Sequence, residues 1–292
     1  MTRGHRVLVA LLAGSTLLAA GCTRDAEETA AAEPMHLEIV EGSARVVHDG
    51  ESRLIDAEAS VEVGDRVLMS GGGIGRLTLA EGVAFELADA HVNLDSGRKV
   101  TLDRGKVLAL AEGPVAIDTD RGRIYSEKGV FRVERGLSIR VAVYEGGANI
   151  QAGDQPLPVE PLKQADLAVG ELDRKTVYRT IDPSDRWDLR YLKNAIDVDA
   201  RLLSLSKGLE AQLGTRNGME FYRQVLPTNF PVAQIQDKVA ESRTDVLVGS
   251  LIAYEAAVDE ANREQVFADV FQMRRDGASW GLIAHRYGVA QS

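Results

Sequence analysis

The chain has few of the devices that crosslink a small fold or dedicate it to polyanions. A single cysteine in 292 residues excludes an intramolecular disulfide and any cysteine-rich metal site. Eight prolines against 28 glycines, without a collagen-like period, leave no fibrous reading. Basic residues are outnumbered, 34 Lys+Arg to 44 Asp+Glu, for a net charge of −10. Binding to a phosphate backbone by counterion release needs a Lys/Arg cluster that this chain does not have, so nucleic acid is excluded as a general partner. No apolar run reaches the roughly 20 residues of a membrane-spanning helix. What is present is an ordinary globular composition, 45% hydrophobic and 27% charged, with enough chain for about two modest domains.

The longest apolar run, residues 7–20, lies behind Arg3 and Arg6. A positive start followed by about fourteen apolar residues predicts a cleavable secretory signal over 1–21. Its end, Leu18-Ala19-Ala20-Gly21-Cys22, resembles the lipobox of bacterial lipoproteins. That resemblance implies acylation of Cys22 and an extracytoplasmic, membrane-anchored protein in the periplasm or at the cell surface. Cleavage would remove two arginines and no acid, leaving 32 basic and 44 acidic residues and a net charge of −12. Residues 22–36 then form the lipidated cysteine and a small, acidic, aperiodic tether.

From 37 to 151 the texture is short alternating runs broken by glycine, aspartate and asparagine. Examples are Arg76-Leu77-Thr78-Leu79, Phe85-Glu86-Leu87, Val92-Asn93-Leu94, Val100-Thr101-Leu102 and Val107-Leu108-Ala109-Leu110. Period-2 alternation with turns every 8–12 residues predicts an all-β domain, either a sandwich or a short-strand solenoid. Val63-Gly64-Asp65-Arg66-Val67, Leu102-Asp103-Arg104-Gly105-Lys106-Val107, Gly113-Pro114-Val115-Ala116-Ile117-Asp118-Thr119 and Val141-Ala142-Val143-Tyr144-Glu145-Gly146 follow in the order and spacing of the FecR domain. The stretch therefore resembles that periplasmic module of ferric-citrate-type regulators. Lys128-Gly129-Val130-Phe131 departs from the Gly-Thr that the family carries before its phenylalanine. Those regulators also have a cytoplasmic segment and a membrane helix, which this chain does not match. The resemblance implies the module's fold and a binding role outside the membrane rather than anti-sigma activity. The run Ser70-Gly71-Gly72-Gly73-Ile74-Gly75 lacks the Gly-Lys-Ser/Thr ending of a phosphate loop and reads as a wide hairpin turn.

Residues 152–181, with Pro156, Pro158 and Pro161, read as an extended connector, and 175–181 as one more strand against the β domain. Residues 182–292 read as a helical bundle, giving α+β overall. Asp182-Pro183 predicts a capped helix start, and Trp187, Leu189, Leu192, Ile196, Leu203 and Leu209 a single amphipathic stripe ending near Gly214. Shorter helices follow at 219–225, after Pro231 (Val232, Ile235, Val239), at 246–260 and around Phe267, Val270, Phe271 and Met273. The end of the chain, 274–289, resembles the first helix and turn of a helix-turn-helix. The groove-reading helix does not follow, so it reads as a capped helix between Gly277 and Gly288, packed in the fold or docked on a partner.

No catalytic constellation stands out. His36, His48, His91 and His285 are scattered without ligand-pair spacing, and no nucleophile elbow occurs. Asp182, Asp185, Asp188, Asp197 and Asp199 fail the spacing of a calcium loop and read as caps and solvated helix faces. No cofactor or nucleotide site is expected, and Cys22 is the one functional residue that can be named. The expected function is a lipid-anchored, non-enzymatic binding or scaffold module for an envelope protein or polymer. The alternatives are the sensor component of an envelope signalling system, or an envelope hydrolase with paired carboxylates.

Overall fold

The computed structural model describes residues 35–168, 175–213, 219–227 and 243–289 apart from 258 and 260, together with Phe230 and Ile235. Cys22, the signal segment, the tether up to residue 34, Gly214, Val232 and Val239 lie outside them, as does the side chain of Leu209; Met35 and His36, expected as the end of the tether, instead begin the first strand. Residues 33–292 form one compact unit.

The strands are β1 Met35–Glu41, β2 Ala44–His48, β3 Glu51–Ile55, β4 Glu58–Val61, β5 Arg66–Met69, β6 Ile74–Ala80, β7 Val83–Ser96, β8 Lys99–Ala111, β9 Val115–Thr119, β10 Gly122–Ser126, β11 Gly129–Arg135, β12 Ile139–Gly146, β13 Ala148–Gln151, β14 Leu157–Val159, β15 Lys163–Leu167 and β16 Val177–Tyr178. The helices are α1 Arg186–Tyr191, α2 Lys193–Leu213, α3 Met219–Val225, α4 Arg243–Ala256, α5 Arg263–Arg275 and α6 Trp280–Arg286.

The pairings resolve the two β options into a sandwich. One sheet runs β4-β1-β6-β7-β8-β11-β12-β15-β16 and the other β3-β2-β5-β7-β8-β9-β10-β13-β14. The long β7–β8 hairpin belongs to both. Its half toward Val83 and Ala111 pairs with β6 and β11, and its half toward Ser96 and Lys99 pairs with β5 and, in parallel, β9. The expected strands Phe85–Leu87 and Val92–Leu94 are thus one strand, bent at bulges between Ala88 and Val92, with Asp89 in the left-handed region. Gly105 faces that corner at φ +89, and a Cβ on it would lie 2.3 Å from the Asp89 carbonyl oxygen. Only glycine fits such an approach.

Elsewhere the chain shuttles between sheets, which is why turns recur so often. β2 and β3 join through Asp49 and Gly50, both at positive φ, as a two-residue hairpin of the primed type demands. The run 70–75 is a correction to the expected hairpin turn. It carries the chain from β5 in one sheet to β6 in the other, and it is tied to the β7 corner by Gly72 N–H to Asp89 Oδ1 and Asp89 N–H to the Gly73 carbonyl. The expected connector is corrected in part: β16 is the strand expected within 175–181, whereas β14 and β15 stand where extended chain was expected. β14, β15 and β16 all lie within 152–181 and hydrogen-bond into the sheets, since the backbone groups freed by each crossing find partners on the next strand. Alternate residues of both sheets, among them Leu37, Leu77, Phe85, Phe131 and Val141 facing Val46, Val67, Leu94, Ile117 and Ile150, fill one buried core.

The helices pack on the outer face of the first sheet. Leu108 and Tyr144, which point away from the sandwich core, join Trp187, Leu192, Ala195, Phe271, Trp280 and Leu282 in a second core. The stripe expected as one helix is two. Asp185, not Asp182, is the N-cap, accepting from Trp187 and Asp188 N–H, and the helix breaks at Leu192 before α2. The break turns Trp187 and Asp188 into the sheet. α6 is a core helix capped by Ser279, with residues 280–284 buried, and Gly277 at φ +95 ends α5 as the sequence suggests. At Gly281 a Cβ would lie 2.0 Å from the Ala195 carbonyl oxygen, so α6 sits directly on α2. No helix among the described residues is long and apolar enough to cross a membrane.

Candidate functional site

Three polar arrangements emerge, and the sequence reading assembled none of them. The first joins helices to sheet. Asp188 is fully buried on α1, and its Oδ1 accepts from Tyr144 Oη at 2.7 Å and from Arg179 Nη2, while Oδ2 accepts from Asp182 N–H at 2.8 Å. Arg132 Nη1 donates to Asp185 Oδ2 at 2.8 Å and lies 3.8 Å from Asp188. The Arg179 guanidinium stacks 4.0 Å from the Tyr144 ring centroid. Burial pushes the Tyr144 hydroxyl up, and the carboxylate beside it adds to that, so it remains a donor. On the same face Glu86 accepts from Trp187 Nε1 at 2.8 Å and from Arg190 Nη1 at 2.5 Å. Burial raises the Glu86 carboxyl, but these bonds and the Arg190 charge outweigh it and hold it below its usual value.

This is a correction for Asp188, expected on a solvated face: its charge is offset by two arginines and its two oxygens accept three hydrogen bonds. Of the other acids, Asp182 also departs from its expected role, binding Ser184 in the turn before α1 instead of capping the helix, while the rest act as caps or on solvated faces. Asp185 caps α1, Asp197 pairs with Lys193 at 3.6 Å, and Asp199 accepts the Gly281 N–H at 2.6 Å. With every carboxylate oxygen of the buried pair committed inside the protein, the arrangement fastens helices to sheet rather than receiving a ligand.

The second arrangement is at the far end of the sandwich. His48 Nδ1 donates to Asp65 Oδ1 at 2.6 Å, and Asp65 Oδ2 accepts the Glu62 N–H at 3.0 Å. Asp65 is buried and His48 half-exposed. The hydrogen bond to Asp65 raises the imidazole pKa from its ordinary 6.5, and Asp49 and Glu62 act in the same direction. The other histidines stay apart. His36 lies 3.6 Å from Glu58, His91 is lowered by burial and Arg104, and His285 on α6 is lowered by burial. Among the described residues no three His, Cys, Asp or Glu side chains converge as a metal site would require.

The third is a groove of about 700 Å³ on the outer face of the helix-side sheet, where the sheet runs on past the helices. Its floor is a register row across five strands, Thr78, Ala84, Leu110, Val130 and Glu145. Arg76, Glu112 and Lys128 complete the rim. Arg76, Lys128, Glu112 and Glu145 are exposed, and their side chains form no ion pair or hydrogen bond with one another or with other described residues. The Glu145 charge acts on the His285 ring, against the lowering that burial causes there. Other charges on the strands are paired in part. Arg66, Lys99, Lys106, Arg123, Arg135 and Arg140 are all paired with carboxylates.

Sequence reasoning missed the groove because its residues come from strands far apart in the chain. One signal was available. Val83-Ala84-Phe85-Glu86-Leu87 does not alternate cleanly, as expected of a strand covered on both faces.

Comparisons with known proteins add little. No protein-family profile matches the chain, and no curated protein does. Two crystal structures of a candidate anti-sigma factor from Parabacteroides distasonis ATCC 8503 are similar to it at 14% and 15% identity, with TM-scores of 0.35 and 0.36. They cover 39% and 43% of this chain, which itself spans about three fifths of theirs, 59% and 63%.

Proposed function

We propose that the chain is a binding module of the bacterial envelope, anchored outside the cytoplasm through acylated Cys22, with a FecR-like sandwich presenting the groove beside its helices. The observation that carries the binding reading is the groove itself: an apolar floor ringed by four charges without partners, within the 300–1,000 Å³ range of ordinary ligand sites. The anchor rests on the N-terminal segment of the sequence. Glu112 and Glu145 share the groove, but both are exposed.

A photo-crosslinking residue at Thr78, in the groove, should capture an envelope component in intact cells, and the same residue at Leu54, on the opposite edge, should not. Equal labelling from both positions, or none from either, counts against the reading. Cys22→Ala should move the protein from the membrane to the soluble fraction; persistence on the membrane would remove the lipid anchor. A sensor role is favoured by one proximity: the charge of Glu145, at the groove's end, acts on the His285 imidazole of α6 and opposes the lowering that burial imposes on it, which places the groove's end beside the helices.

A further inference from the structure

We infer that the groove's ligand is a short extended peptide of about five residues, with small side chains in its middle, a carboxylate at one end and an ammonium group at the other. The inference rests on the binding reading above and specifies its ligand.

Polarity is the first argument. Arg76 stands on β6 at one end of the groove and Glu145 on β12 at the other. Four inter-strand spacings separate those strands, roughly 19 Å, which an extended chain covers in five to six residues. A simple anion would have no use for Glu145, and a simple cation none for Arg76. Between the ends the floor is Ala84, Leu110 and Val130. The rim at mid-length offers one charge of each sign, Glu112 and Lys128, on adjoining ends of β8 and β11. The middle of the ligand is therefore apolar and close to neutral.

Relief is the second argument. Gly82 and Gly146 both hold positive φ at the rim, and a Cβ on Gly82 would come 3.2 Å from the Glu112 side chain. No side chain rises from the rim at either position. The floor between the ends is a sheet face of Ala84, Leu110 and Val130, against which methyl-sized side chains pack closely. A lipid tail is disfavoured by the charges at both ends, and a nucleic acid by the acidic protein.

The test is ligand-observed NMR with the full chain in detergent micelles, using four capped probes: Glu-Ala-Ala-Ala-Lys, Gln-Ala-Ala-Ala-Gln, Glu-Ala-Ala-Ala-Glu and Lys-Ala-Ala-Ala-Lys. The mixed-charge probe should bind about fivefold or more tightly than the neutral one, the scale set by exposed charge pairs. Arg76→Glu makes both ends acidic and should shift the preference to the dilysine probe; Glu145→Lys should shift it to the diglutamate probe. Both side chains are exposed and unpaired, so folding should be unchanged, checked by circular dichroism. Equal binding of the four probes, or a preference that neither reversal moves, overturns the inference. So does groove occupancy by a second copy of the chain, seen as a mass that rises with concentration and ignores every probe. Thr78 crosslinking that succeeds while the probes fail would leave the binding reading standing and remove only this ligand.

Discussion

The two outer faces of the sandwich carry the same residue types under opposite conditions. On the far sheet Asp118 meets Arg123 at 2.7 Å and Lys99 at 3.4 Å, with Arg123 more than half exposed. On the helix-side sheet Asp188 meets Arg179 with both side chains at 0% exposure. Water screens the first set and has been removed from the second. An exposed pair is worth about 0–1 kcal/mol, whereas breaking a buried one costs about 3–5 kcal/mol because a charge is stranded. The number of ion pairs therefore says little about what holds this molecule together; their depth decides it.

The largest effect should come from the buried pair. Asp188→Ala strands Arg179 and frees the Tyr144 hydroxyl, and should cost about 3–5 kcal/mol in denaturant unfolding. A loss below about 1 kcal/mol would show that the helices are held by apolar contact alone. Next is the corner shared by the two sheets. Gly105→Ala meets a backbone oxygen and an unfavourable φ and should cost about 1–3 kcal/mol; an unchanged midpoint would mean the bend can relax. Trp187→Phe keeps most of the buried ring but removes a donor from Glu86, and should cost about 1–3 kcal/mol. Asp118→Ala, on the exposed face, should cost less than about 1 kcal/mol and shrink further in high salt.

The smallest effect belongs to His48, and its signature is pH. Its folded pKa lies above the ordinary 6.5, so the stabilisation is complete at acid pH below that value. It is lost as pH rises through the raised folded value. The difference in stability between wild type and His48→Gln should therefore shrink on going from mildly acid to alkaline pH. A difference that grows with pH instead would reverse the assigned role of Asp65.

The helical half was legible wherever stripe and terminal glycine coincide, as at Phe267, Val270, Phe271 and Met273 of α5 and at Gly277 and Gly288 around α6. It misled at Asp182-Pro183, because Asp185 offers an equally good cap three residues on and the tertiary structure chose it. Asp188 was misplaced for a related reason. Helical spacing identifies an apolar face, but cannot show that a sheet opposite supplies two arginines. In the β region, strands such as Val100–Leu102 and Val107–Leu110 were found but not joined, since bulged pairing around Gly105 leaves an interruption in the pattern. The charges around the groove could not be assembled, because Arg76, Glu112, Lys128 and Glu145 are neighbours only through strand register.

Local chemistry in the sequence determined strand alternation, several helix ends, the Asp49-Gly50 turn and the excess of acid, since propensity and period act over a few residues. The lone cysteine, which excludes disulfides, marks a candidate acylation point by the same local reading. Tertiary structure decided which strands share a sheet, which carboxylates lose their water and which charges stay unpaired around a groove. Those outcomes depend on contacts between residues as far apart as Glu86 and Arg190. Register and burial that arise only when the sheets close set them, and no short window of sequence contains either.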